Sequence, residues 1–134
     1  MRRTKSQIIE AANAQLIVEG DLDAISEFFS PSYMAHVAGK DFIGGHQVVR
    51  RMMGAYHRAF SEIEVKIEIL VQSPSRINWL RSWQGRQTGP FKGFPPTQKV
   101  LRWSDQVTSE IEDGLIVQEW LVTDLAEKLL MARK

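Results

Sequence analysis

Two hydrophobic periods divide the chain. Apolar residues first recur every three or four positions, and from Ile63 onward they alternate. Ile8, Ala11, Ala12 and Leu16 form one helical stripe, with Gln15 and Glu19 at its margin. Thr4 and Gln7 have the spacing of a capping box, and Gly20 supplies a stop. Asp21 is placed to cap a second, short helix through Leu22, Ala24, Ile25, Phe28 and Phe29. Ser30-Pro31 breaks it, because proline disfavours helical geometry in the residue before it. Residues 33–37 read as a short strand and 39–45 as a loop. Gly44-Gly45 precedes a third helix over 46–60, in which Val48, Val49, Met52, Met53, Tyr56 and Phe60 share a face. Arg50, Arg51 and Arg58 belong mostly to the other side and read as a solvated helix face rather than an anion site.

The second half reads as strands. Ile63, Val65, Ile67, Ile69 and Val71 alternate with Glu62, Glu64, Lys66, Glu68 and Leu70, so one face is buried and one mostly wet. Ser73-Pro74-Ser75 turns the chain into a strand over 76–87, one face of which carries Trp79, Arg81, Trp83, Gly85 and Gln87. Two glycines and three prolines make 89–96 a loop. A strand over 99–112, the Asp113-Gly114 hairpin signal and a returning strand over 115–122 follow, and Leu125, Leu129 and Leu130 mark a C-terminal helix. Helices followed by a meander of long antiparallel strands make an α+β plan, with the helices packed on one face of a curved sheet.

Composition narrows the function classes. A chain of 134 residues suits one domain, 1–134, and no linker or repeat marks a boundary. The net charge of +1 gives no bulk attraction for nucleic acid. The absence of cysteine removes disulfides, thiolate catalysis and cysteine-ligated zinc. Met1-Arg2-Arg3-Thr4-Lys5 resembles the basic end of a signal peptide, but Ser6-Gln7-Ile8-Ile9-Glu10 follows in place of an apolar run. No apolar run is long enough to span a bilayer, and a cytoplasmic protein is expected. The three histidines have no i, i+4 spacing and no acidic cluster, so no metal site is expected. His46 and His57 read as surface residues.

Several motifs carry a family resemblance. They are Ala59-Phe60 before a strand rich in Glu and Val/Ile, and Gly85-x-x-Thr88-Gly89-Pro90-Phe91-x-Gly93-x-Pro95-Pro96-Thr97. Glu112-Asp113-Gly114-x-Ile116-Val117 and the ending Glu119-Trp120-x-x-x-Asp124 complete the set. Nearly the whole chain resembles the SnoaL-like polyketide cyclases, also known as predicted ester cyclases, within the nuclear-transport-factor-2-like superfamily. The resemblance implies a cone-shaped α+β barrel and an intramolecular aldol condensation without metal or organic cofactor. It implies a hydrophobic polyketide-like or β-keto ester substrate, and self-association as a homodimer or higher oligomer. It places the general acid/base on Asp124 and a pocket-facing polar residue at His36. Gln87 stands where the family often has histidine. Glutamine can hydrogen-bond a carbonyl but does not titrate, which favours the alternative of a non-catalytic small-molecule binding module.

The residues leave each role with a second reading. Burial beside Trp120, Trp79, Trp83 or Trp103 would raise the pKa of Asp124 and make it a better base, whereas Thr123-Asp124 before Leu125 also has the look of a helix cap. Arg81, sharing a face with Trp79, Trp83 and Gln87, either binds a carboxylate or enolate inside the cone or belongs to a sheet-to-sheet dimer interface. Trp103 has the same two readings. Phe91 and Phe94 either close the mouth over a hydrophobic ligand or pack the turn. The expected ligand is a small hydrophobic or aromatic molecule.

Overall fold

The structure, a computed structural model, describes residues 2–133. Helix α1 (Lys5–Asn13) begins at the Thr4–Gln7 capping box, in which both reciprocal hydrogen bonds form. It runs into a π-helical turn (Ala14–Val18) rather than continuing to Gly20. A 3₁₀ turn (Leu22–Ala24) and the short α2 (Ile25–Phe28) follow. Strand β1 (Phe29–Val37) starts earlier than the pattern predicts and runs through Pro31. The β1 pairing shifts register between Phe29 and Met34, and an irregular stretch of this kind tolerates proline.

Residues 39–45, read as a loop, contain a further strand, β2 (Lys40–Ile43), paired antiparallel with β1. Helix α3 (His46–Ala59) starts at Gly45, whose φ of 63° favours glycine. A Cβ there would lie 2.0 Å from the Pro31 carbonyl oxygen, so glycine also lets α3 start hard against β1. Strands β3 (Phe60–Gln72), β4 (Arg76–Gln87), β5 (Val100–Glu112) and β6 (Leu115–Thr123) form the expected antiparallel meander, and α4 (Leu125–Ala132) ends the chain.

The six strands are ordered β2-β1-β6-β5-β4-β3. The β1–β6 pairing is parallel, so the sheet is mixed rather than wholly antiparallel, and it remains open between β2 and β3. Its α+β cone is the expected architecture. Strand alternation sorts side chains to an inner and an outer face. Trp79, Trp83, Trp103, Val107, Ile111 and Leu121 are buried on the inner face, and Ile8, Ile9, Leu16, Ile17 and Phe28 pack over them from the helices. Each such large apolar side chain contributes about 1.5–3 kcal/mol on burial. Among the described residues, no helix is long and apolar enough to cross a membrane.

The proline loop after β4 is tied to the end of α3. The N–H groups of Thr88 and Gly89 both donate to the Ala59 carbonyl, at 2.9 and 3.0 Å. A Cβ at Gly89 would sit 2.3 Å from the Arg58 carbonyl oxygen, which is backbone and has nowhere to move. Gly89→Ala is therefore expected to lower stability by about 1–3 kcal/mol, read as a fall in the denaturant midpoint. An unchanged midpoint would show that the loop is not held against α3.

Candidate active site

The inner face of β4 and β5 places one ion pair at the centre of the cone. Arg81 and Asp105 lie directly opposite each other in the β4–β5 register. Nε and Nη2 of Arg81 reach Asp105 Oδ2 at 2.9 and 2.7 Å. Trp83 Nε1 donates to the same oxygen at 2.7 Å. Arg81 Nη1 donates to Asn13 Oδ1 at 2.9 Å, and Asn13 Nδ2 donates back to the Ile9 carbonyl at 2.8 Å. The π-helical turn begins just after Asn13. The guanidinium also faces the rings of Trp79 and Trp83, at 5.1 and 4.9 Å from their centroids. Burial works against its charge, but the Asp105 carboxylate, then Tyr56 and Glu119, hold its pKa raised.

Asp105 is completely buried, and its Oδ1 has no hydrogen-bond partner among the described residues. A buried acceptor left unpaired is costly, and this oxygen, with Trp103 Nε1, is one of two buried polar side-chain atoms without a partner among the described residues. Its other strand neighbour is Thr123 on β6. Tyr56, from α3, packs on Trp83 at 4.5 Å and on Phe91 at 5.5 Å. Burial first, and then the Asp105 charge, raise the Tyr56 phenol well above its usual range. Its hydroxyl makes no hydrogen bond among the described residues.

A second polar group lies deeper. Tyr33 donates to Glu119 Oε1 at 2.7 Å, and Ser109 donates to Glu119 Oε2 at 2.5 Å. Trp79 Nε1 donates to Ser109 at 3.0 Å. Burial raises the Glu119 carboxyl above the usual range, against these hydroxyl donors and Arg81, which pull it down.

Open volume lies at the mouth of the cone, not at its centre. A cavity of about 480 Å³ is walled by α3, the β2 arm, the proline loop, the end of β6 and α4. Val48, Met52, Phe42, Phe91, Leu125 and Leu129 give it an apolar lining, and Tyr56 and Thr123 lie on its inner side. The hollow beside Trp79, Arg81 and Glu119 is only about 30 Å³, room for about one water. Asp105 itself does not line the cavity, but its β6 partner Thr123 does.

The residues picked out from sequence fall into three groups. Trp79, Arg81, Trp83, Trp103 and Gln87 are on the inner face and buried, so they belong to the cone interior and not to a sheet-to-sheet interface. Trp103 stacks on Trp83 at 5.1 Å, and its Nε1 has no partner among the described residues. Gln87 is occupied by the proline loop: its Nε2 donates to the Pro95 carbonyl at 3.1 Å, and Thr97 donates to its Oε1 at 3.0 Å. Phe91 and Phe94 line the cavity mouth and bridge each other through their backbones.

Asp124, His36 and Trp120 lie apart from the cavity. Asp124 continues the β5–β6 ladder one residue beyond Thr123, and alternation turns it to the outer side. Its Oδ1 accepts the Ser104 N–H at 2.8 Å, and its side chain is 39% exposed beside Lys128. It occupies the N-cap position of α4 but makes no side-chain hydrogen bond to that helix. It lines an outer hollow with Ser82, Gln84, Arg102 and Ser104. His36 and Trp120 stack on each other at 5.1 Å on the outer face, with Arg76 over the indole at 4.7 Å. The other two histidines are half-buried and hold backbone rather than lying on the surface. His46 pairs with the Phe29 carbonyl and His57 with the Leu16 carbonyl, each at 2.8 Å.

Asp105, Glu119, Tyr33 and Tyr56 were not singled out as candidates from sequence. The signal for Asp105 is present: it is the charged residue on the face of β5 that otherwise carries Leu101, Trp103, Val107, Ser109 and Ile111.

Two measurements follow from these contacts. Arg81→Met would leave the Asp105 carboxylate buried without its counter-ion, and is expected to lower unfolding free energy by about 3–5 kcal/mol. A loss below about 1 kcal/mol would mean that the pair behaves as a solvated one. His36 has Asp41 Oδ1 at 2.6 Å and Gln118 Oε1 at 3.0 Å, and these hydrogen bonds raise its pKa. The folded pKa lies above the unfolded value of about 6.5, so this stabilisation is fully present below that value and is lost as pH rises through the folded pKa. An NMR titration should place the imidazole of His36 above that of a free histidine, and Asp41→Asn should bring it down. A value unmoved by the substitution would detach His36 from Asp41.

The comparisons with known proteins agree with this architecture. A family model for the SnoaL-like polyketide cyclase matches residues 7–130. A SnoaL-like polyketide cyclase from Agrobacterium tumefaciens str. C58 has a similar structure, with TM-score 0.78 and 18% identity, covering 98% of this chain and 99% of that one. IdmH from Streptomyces antibioticus gives TM-score 0.79 at 20% identity, covering 98% of this chain and 99% of its own. TsrD from Streptomyces laurentii gives 0.80 at 22% identity, covering 92% of each chain. No curated protein matches. At these identities the structures speak for the fold, and the family match over nearly the whole chain speaks for descent: the chain belongs to the SnoaL-like polyketide cyclase family.

Proposed function

We propose that the protein closes a ring in a hydrophobic, polyketide-like or β-keto ester substrate by intramolecular aldol chemistry, using its own side chains as acid and base. The observation that carries this reading is the Asp105 carboxylate, with Oδ2 held by Arg81 and Trp83 and Oδ1 unpaired, behind the wall of an apolar cavity. The first step takes a proton from the carbon between two carbonyls and leaves an enolate. Asp105 Oδ1 is the group with a free lone pair to accept that proton. Arg81 and Trp83, both bonded to Oδ2, fix the orientation of the carboxylate and leave Oδ1 as its free oxygen. The enolate carbon then attacks a second carbonyl of the same molecule, and the new alkoxide takes up the proton that Asp105 accepted, which restores the carboxylate.

Tyr56 fits the role of hydrogen-bond donor to the enolate or alkoxide oxygen. Tyr56 lines the cavity, its hydroxyl makes no hydrogen bond among the described residues, and its raised pKa keeps it protonated across the neutral range. The family resemblance put the acid/base on Asp124. Its outward position and its bond to Ser104 favour Asp105 instead.

The alternative is a binding module on the same scaffold. Two observations favour it: the cone centre is nearly filled, and Gln87 is committed to the proline loop. Proton exchange in D₂O separates these readings, followed by NMR on a panel of aromatic β-keto esters. Wild type is expected to exchange the α-proton above blank. Asp105→Asn is expected to lose at least about 100-fold with its near-UV circular dichroism retained, and Asp124→Asn to exchange at the wild-type rate. Loss in Asp124→Asn alone would return the role to that residue. Saturable binding without exchange in wild type would favour the binding module.

A further inference from the structure

The charges around the mouth cavity are lopsided. Its lining contains one carboxylate, Asp41, and two cations, Arg51 of α3 and Lys92 of the proline loop. The carboxylate is already taken. Asp41 Oδ1 lies 2.6 Å from His36 Nδ1, and Gln118 Oε1 lies 3.0 Å from His36 Nε2. The orientation of the Gln118 amide is fixed, because its Nε2 donates to Glu110 Oε2 at 3.0 Å and a carboxylate only accepts. Both ring nitrogens of His36 therefore face acceptors, and these hydrogen bonds raise its pKa and tie up Asp41 Oδ1. Glu110 is in turn paired with Arg76 at 3.2 Å.

Neither cation of the cavity has such a partner. Among the described residues, Arg51 and Lys92 form no ion pair, and Lys92 merely leans over the Phe91 ring at 5.6 Å. Arg51 and Lys92 are both exposed at the rim, while the walls below them are apolar. An apolar chamber under two unneutralised cations matches a molecule with an apolar body and an anionic end.

Resting on the cavity identified above, we infer that the natural ligand is an amphipathic carboxylate. Its aromatic or polyketide-like body fills the apolar chamber, and its carboxylate is held at the mouth by Arg51 and Lys92. The guanidinium offers a planar fork and the ammonium a mobile point charge, so the first orients the carboxylate and the second follows it. The anionic end lies at the rim and the reacting carbons point inward, toward Tyr56 and Asp105. Specificity then includes a choice of free acid over ester at the end remote from the chemistry.

Calorimetric titration with 2-naphthoate and its methyl ester tests this, since the two share a body and differ in the charge. Wild type is expected to bind the carboxylate about fivefold more tightly than the ester at low salt, and this preference should shrink at high salt. Arg51→Gln/Lys92→Gln should remove the preference and leave ester binding unchanged. Both side chains are exposed, so the variant's unfolding midpoint should match wild type. Equal binding of the two compounds by wild type, or a preference that survives the double substitution, would overturn the anion site while leaving the cavity reading intact. Failure to bind either compound would overturn both.

Discussion

A guanidinium and a carboxylate buried together among tryptophans constrain everything around them. Each ion is expensive to desolvate, and their attraction offsets this only when the remaining hydrogen-bonding groups are also satisfied. Arg81 meets that condition fully: Asp105 takes two of its nitrogens, Asn13 takes another, and two indole faces cover its plane. Asn13 reaches it from the end of α1, which packs over the inner face of the sheet, and its own amide is held to the Ile9 carbonyl. Asp105 meets the condition on one oxygen only. The pair thus ties β4, β5 and the end of α1 together and leaves one carboxylate oxygen without a partner among the described residues.

The same economy governs the mouth. Gln87, at the last position of β4, spends its amide on the proline loop, and Thr88 and Gly89 tie that loop to the end of α3. Phe91 is carried over Tyr56 and Phe60 as a result. The loop is therefore part of the cavity wall and not an appendage. Across the opening, the β2 arm contributes Phe42 and Ile43, while His36 and Asp41 pin that arm to the outer face of β6. Apolar volume lies between these two holdings, with Tyr56 among its lining residues.

Local periodicity was sufficient for most elements. The helix of 46–59, the four long strands and the Asp113-Gly114 turn all follow from spacing that each segment carries in itself. Elements held by partners elsewhere were not legible. Strand β2 has four exposed residues and exists because β1 is beside it. The parallel β1–β6 pairing joins segments far apart in sequence, and no local pattern encodes it.

For the site, sequence determined which residues share a face: Trp79, Arg81, Trp83 and Gln87 on β4, and Trp103 with Asp105 on β5. Alternation alone does that, because the side-chain period of a strand is two. Only the tertiary structure decided which face is the inside, that Arg81 stands opposite Asp105, and that Asp124 falls one step out of phase on the outer side. It also decided that Arg51, indistinguishable in sequence from its neighbours on a solvated helix face, borders a cavity. Those outcomes depend on register and on the packing of helices over a curved sheet, both of which are set by contacts between segments distant along the chain.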